Sequence, residues 1–144
     1  MTRSRALRTS VFATALLGSL VGCADESEQL GIVADCGKLV LPPDVELLFY
    51  ERDVMFGDQI VEAIFDIPRG ALDAFKHQSG LTRFDPGVPA RWRQESWLAS
   101  GQTDLLASDA ENEHLVEMNR TPTRWVVIHD SADDSTRVFF RAGC

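Results

Sequence analysis

The sequence predicts an α+β domain: a small antiparallel sheet of about five strands, ordered β-β-α-irregular-β-β-β, with one face covered by helix. Three observations predict it. Residues 45–52 and 59–67 alternate apolar and polar side chains on either side of Gly57-Asp58, the pattern of a hairpin with one buried face. Pro68 follows at once and opens a run of helical spacing that ends at Gly80, a proline start and a glycine stop. Two strand-forming runs near the C-terminus, residues 125–129 and 138–141, flank a polar turn at 130–135. Strands joined by short turns and shielded by a helix form an antiparallel sheet rather than a parallel one.

Each element has a local cause. Pro42-Pro43 blocks helix ahead of the first strand, where Val45, Leu47 and Phe49 share a face,. In the second strand Val61, Ala63, Phe65 and Ile67 oppose Ile60, Glu62, Ile64 and Asp66. The helix at 69–79 carries Ala71, Leu72 and Phe75 on one side. Residues 81–108 are irregular, broken by Asp85-Pro86-Gly87 and Pro89, with a short helix expected over 91–98,. Residues 114–118 form a further strand candidate, His114-Leu115-Val116-Glu117-Met118.

The N-terminus has a different character. Arg3, Arg5 and Arg8 precede an apolar run of eleven residues, 11–21, too short to span a bilayer core of about 30 Å at about 1.5 Å per residue. A basic segment, a short apolar segment and a small-residue exit describe a secretory signal peptide. The run ends Leu20-Val21-Gly22-Cys23, which resembles the lipobox of bacterial lipoproteins. That resemblance covers the signal segment alone. It implies cleavage before Cys23, diacylglycerol and further acyl chains such as palmitate on that cysteine, and attachment to the cell membrane or outer membrane with the domain outside the cytoplasm. The expected organisation is a signal peptide at 1–22, an acylated cysteine with a solvated acidic tether at 23–35, and a single domain at 36–144.

Without residues 1–22 the chain keeps 11 basic and 22 acidic side chains, a formal charge of −11. That balance argues against nucleic acid as a partner, because phosphate neutralisation needs clustered Lys and Arg. It argues equally against electrostatic docking on anionic lipid, so the acyl group must supply the attachment. In an oxidising compartment the two cysteines left after Cys23, Cys36 and Cys144, are expected to form a disulfide joining the chain ends,. Two free thiols or an intermolecular bridge stay open as alternatives. Zinc ligation is disfavoured by a separation of over 100 residues.

Chemical motifs are sparse. His77, His114 and His129 lack the i, i+4 spacing of a helical metal site,. They work as a catalytic or metal centre only if the fold brings them to a common carboxylate. Asp109, Glu111 and Glu113 start like a calcium loop, but His114 stands where a glycine is needed and Arg120 where the closing glutamate belongs,. Asp130, Asp133 and Asp134 suit a turn for local hydrogen bonding alone. No G-x-S-x-G, no Ser-x-x-Lys after Cys23 and no phosphate-cradling glycine loop occurs,. Neither a metal nor a cofactor is implied. Arg91, Trp92, Arg93 and Trp97 combine residue types that dominate protein–protein contacts, although a small domain also has reason to bury its Trp rings.

The leading expectation is therefore a lipid-anchored, non-catalytic envelope protein that binds a protein partner or ligand through residues 91–97. An inhibitory or immunity-type lipoprotein is a variant of the same reading. The competing class is a small exported hydrolase or metal-binding protein built on the three histidines.

Overall fold

The computed structural model describes residues 25–130 and 133–144, the Met55 side chain excepted. The signal segment and Cys23 lie outside the described residues. No described helix is long and apolar enough to cross a membrane.

The expected α+β fold is present, built on a six-stranded antiparallel sheet. In chain order the strands are β1 (Glu46–Met55), β2 (Asp58–Pro68), β3 (Asp85–Pro86), β4 (Asn112–Glu117), β5 (Thr123–His129) and β6 (Ser135–Gly143). In space they run β1-β2-β6-β5-β4-β3. The sixth strand is the two-residue β3, which pairs Asp85 with His114 and Pro86 with Glu113. No local pattern marks it, since Asp-Pro is turn chemistry and the pairing is an edge event.

The hairpin β1–β2 turns at Phe56-Gly57, one residue earlier than expected, with Met55 opposite Asp58. Both turn residues have positive φ, 54° and 90°, as a two-residue turn of the primed kind requires. The helix after Pro68 is shorter than expected: a 3₁₀ turn at Arg69–Ala71 leads into α2 (Leu72–Gln78). Its end follows the expectation, with Gly80 at φ 64° and the Leu81 N–H returning to the Lys76 carbonyl at 2.8 Å,.

The acidic tether is the main departure. Residues 26–37 form α1 (Glu26–Gly37) rather than a solvated linker. Asp25 caps it, accepting the Glu28 N–H at 2.8 Å, and Glu26 and Glu28 sit in the first turn, where the helix dipole favours acids,. Val33 and Cys36 are buried and Ile32 packs against the core, so three apolar side chains at helical spacing anchor an otherwise polar helix. Among the described residues the fold therefore includes a helix ahead of Cys36.

Two cores flank the sheet. On one face Val61, Phe65, Val126, Val138 and Phe140 pack under α1 and α2 with Phe75 and Leu115. The opposite face is also covered in part. There Ile64, Val127 and Phe139 lie beneath an irregular segment that brings Val88, Trp92, Trp97 and Leu106. A helical layer on one face is therefore correct, and a Trp-rich loop layer on the other completes the fold.

The Cys36–Cys144 disulfide joins the last turn of α1 to the C-terminal residue. Beside it a buried arginine ties the helices to the sheet. Arg124, 0% exposed, donates from Nη1 to the carbonyls of Gly37 and Ser79 at 3.1 and 2.9 Å. Those carbonyls end α1 and α2, the negative poles of both helices. Its Nε donates to Glu117 Oε2 at 2.6 Å.

The sheet consequently has two unlike poles. The chain enters at one, where Glu26 accepts the Leu47 N–H at 3.2 Å. The opposite pole holds the β1–β2 turn, the disulfide and the β4–β5 turn, with the Cys144 N–H bonded to the Gln59 carbonyl.

Candidate functional site

Of the residues expected to bind a partner, the two Trp are buried in the domain. Trp92 is 3% and Trp97 0% exposed. The Trp97 Nε1–H donates to the Phe140 carbonyl at 2.8 Å, and its ring meets Trp92 and Phe139 edge-on at 6.2 and 5.6 Å. Arg93 pairs with Asp109 at 3.5 Å, and only Arg91 projects freely into solvent. Trp92 and Trp97 hold a loop onto the sheet instead of presenting a surface, because the second face of the sheet needs their area more than solvent tolerates it,.

The three histidines do not assemble. His77 is exposed on α2. His114 donates from Nδ1 to the Gly87 carbonyl at 2.8 Å and stacks edge-on against Trp92 at 5.5 Å. His129 is buried and meets Asn112 Oδ1 at 3.0 Å. The Asn112 amide donates to the Leu105 and Ser108 carbonyls, so its oxygen faces His129 and the imidazole donates. Their partners are a carbonyl and an amide, not a shared carboxylate. Among the described residues no group of three His, Cys, Asp or Glu is placed to hold a metal.

What remains open is the part of the second face that the Trp loop does not reach. Three adjoining hollows meet there at Ile60. The largest, about 390 Å³, lies between the β1–β2 and β4–β5 turns and is lined by Ile60, Thr121, Thr123, Trp125 and Arg141, with Cys144 at its end. Its volume falls in the range of small-ligand and peptide subsites, about 300–1,000 Å³. A second hollow, about 220 Å³, adds Glu51, Asp53, Glu62 and Glu95. The third joins Asp53 and Asp58 to Phe56.

One ion pair organises this floor. Arg141 donates to Glu62 Oε1 at 2.8 Å and to Ser96 Oγ at 3.0 Å, with its guanidinium over the Trp125 ring at 5.5 Å,. The other Glu62 oxygen accepts the Trp97 N–H at 2.9 Å. Burial raises the Glu62 pKa above the ordinary carboxylate value, and the Trp97 amide and Arg141 oppose that shift. Both oxygens are engaged, so Glu62 fixes the loop at Trp97, itself at φ 56°.

Around the floor the rim is unpartnered. Glu51, Asp53, Asp58 and Glu95 are exposed and enter no salt bridge among the described residues. Phe56 stands fully exposed on the turn, with Val54, Val116 and Met118 exposed at the same pole.

Comparison supplies no relative. No protein-family model, curated protein or solved structure matches the chain.

Sequence reasoning missed Phe56, Ile60, Trp125 and Arg141 as site residues. One signal was available: an aromatic in a two-residue turn, where Asn, Asp or Gly is the favoured choice. The remainder of the floor is assembled from β2, β5 and β6, whose adjacency no local pattern announces.

Proposed function

We propose that the chain is an exported, lipid-anchored, non-catalytic binding protein of the cell envelope that meets its partner through the pole formed by the β1–β2 and β4–β5 turns. The observation that carries this reading is Phe56, a fully exposed aromatic at φ 54°. A left-handed backbone costs a non-glycine residue about 1–2 kcal/mol, and exposing the ring forfeits its burial. Neither cost is recovered inside the domain. Contact with something outside it recovers the second, and the hollows beside Phe56 give such a contact depth.

The anchor fits that orientation. The lipobox Leu20-Val21-Gly22-Cys23 supports acylation at Cys23, and α1 begins at Glu26. Three residue steps reach at most about 11 Å. A membrane attached there faces the chain-entry pole, where Asp25, Asp44 and Asp134 are exposed and are repelled by anionic headgroups. The turn pole is then directed away from the bilayer.

Two experiments in the producing cell test the reading. A photo-crosslinker replacing Phe56 is expected to give a discrete adduct that the same group at Asp134 does not; adducts from Asp134 alone, or from neither position, refute the assignment of the pole. The Cys23→Ala variant is expected to leave the membrane fraction, and its retention there refutes lipid anchoring.

A further inference from the structure

The open face carries an unbalanced charge that names its occupant. Glu51 and Asp53 lie two residues apart on β1, opposite Glu62 and Ile60 of β2. Their side chains therefore project over the hollow on one face, about 6.6 Å apart along the strand. Glu95 approaches the same hollow from the loop above. The one cation lining this hollow, Arg141, is already spent on Glu62. No three of these groups are placed to hold a metal ion, so the charge is spread along a line rather than focused on a point. That line follows β1, the outer strand of the sheet, whose one strand partner is β2; its start is bonded to Glu26 at Leu47, and Glu51 and Asp53 lie beyond that point, toward the turn.

We infer that the pole takes an extended, basic segment of a partner protein, laid along the free edge of β1 with Lys or Arg at alternate positions over Glu51 and Asp53. An added strand repeats its side chains every second residue on one face, which matches the spacing of the two carboxylates. Apolar residues near the end of that segment meet Phe56 at the turn. The inference rests on the binding function proposed above and supplies the chemistry of the partner.

The test titrates the full-length chain in detergent with an octapeptide alternating Val and Lys, and with the same peptide carrying Glu in place of Lys. The expected result is saturable binding of the basic peptide alone, with slowed amide exchange along β1. The Kd should rise about two- to fivefold for each of Glu51→Gln and Asp53→Asn, and further with added salt. Both side chains are exposed, so the variants should unfold at the wild-type temperature; if either does not, Glu95→Gln takes its place. Equal binding of the acidic peptide, an unchanged Kd in the double variant, or no saturation by about 1 mM overturns the inference. Crosslinking from position 56 separates the two levels: an adduct there without basic-peptide binding removes the occupant and leaves the pole standing.

Discussion

Replacing Arg124 by methionine isolates the polar work of one side chain while keeping most of its volume. The guanidinium is wholly buried and serves three acceptors: the Gly37 carbonyl, the Ser79 carbonyl and Glu117. Each carbonyl deprived of its donor costs about 1–3 kcal/mol. Glu117 retains Arg120 at 3.1 Å and stays 22% exposed, so its share is discounted to about 1 kcal/mol. Relief of the guanidinium's own desolvation offsets part of the sum. The net expectation is a loss of about 3–5 kcal/mol, a large part of the roughly 5–15 kcal/mol that holds a domain together. Urea unfolding followed by circular dichroism reads it directly, with the slope m unchanged. Arg137→Met is the control. Arg137 is part-buried, 28% exposed, and bonds both Asp66 oxygens and Gln102; discounted for solvent, its loss should cost about 1–2 kcal/mol. If Arg124→Met costs no more than Arg137→Met, Arg124 does not join the two helices to the sheet.

Four further outcomes follow from the same geometry. Removing the disulfide with Cys36→Ala and Cys144→Ala opens a loop with a sequence separation of 108 and should cost up to about 4.8 kcal/mol by chain entropy; a loss under about 1 kcal/mol in urea unfolding contradicts it. Trp97→Ala should cost about 3–5 kcal/mol and collapse the near-ultraviolet circular dichroism, whereas a surface Trp would leave both intact. Because Glu62 has a raised pKa in the fold, the folded state holds its proton more tightly than the unfolded chain. Its contribution is fully present below the ordinary pKa of 4.5 and declines as pH rises through the folded value; Glu62→Gln should remove that decline, and an unchanged pH profile counts against it. Phe56→Asn puts a favoured residue into the turn, so thermal unfolding should show equal or higher stability, by about 0.5–1 kcal/mol, while capture of the basic peptide at the pole is weakened.

The sheet was legible because alternation marks β1 and β2 around a turn that carries its glycine, and runs of β-branched and aromatic residues mark β5 and β6,. Helix α1 was hidden by its composition. Its apolar contribution is Ile32, Val33 and Cys36, and its hold on the core is completed by a disulfide to the far end of the chain. The cap of Asp25 on Glu28 emerges only in the fold, because an acidic, Ser- and Gly-containing stretch has the same composition as a linker. Trp92 and Trp97 were ambiguous for a physical reason: the same ring area serves a core or an interface, and the choice depends on whether Phe139 and Phe140 lie beneath it. The candidate site was least legible, since β6 sits between β2 and β5 and thereby brings Ile60, Arg141 and Trp125 together from distant parts of the chain.

The disulfide has a mechanical consequence. A protein fixed at one end and gripped at the other is pulled, and the pull travels along whatever connects the two ends. Here α1 leads from the entry pole to Cys36, and the covalent bond passes tension to Cys144, just beyond β6. Strand β6 is flanked by β2 and β5 over its length, so its ladders resist in shear, many bonds at once, instead of parting one after another from an edge. Reduced, the same pull would peel α1 from the sheet first. Oxidised, the helix, the staple and the central strand act as one line between the two poles of the sheet.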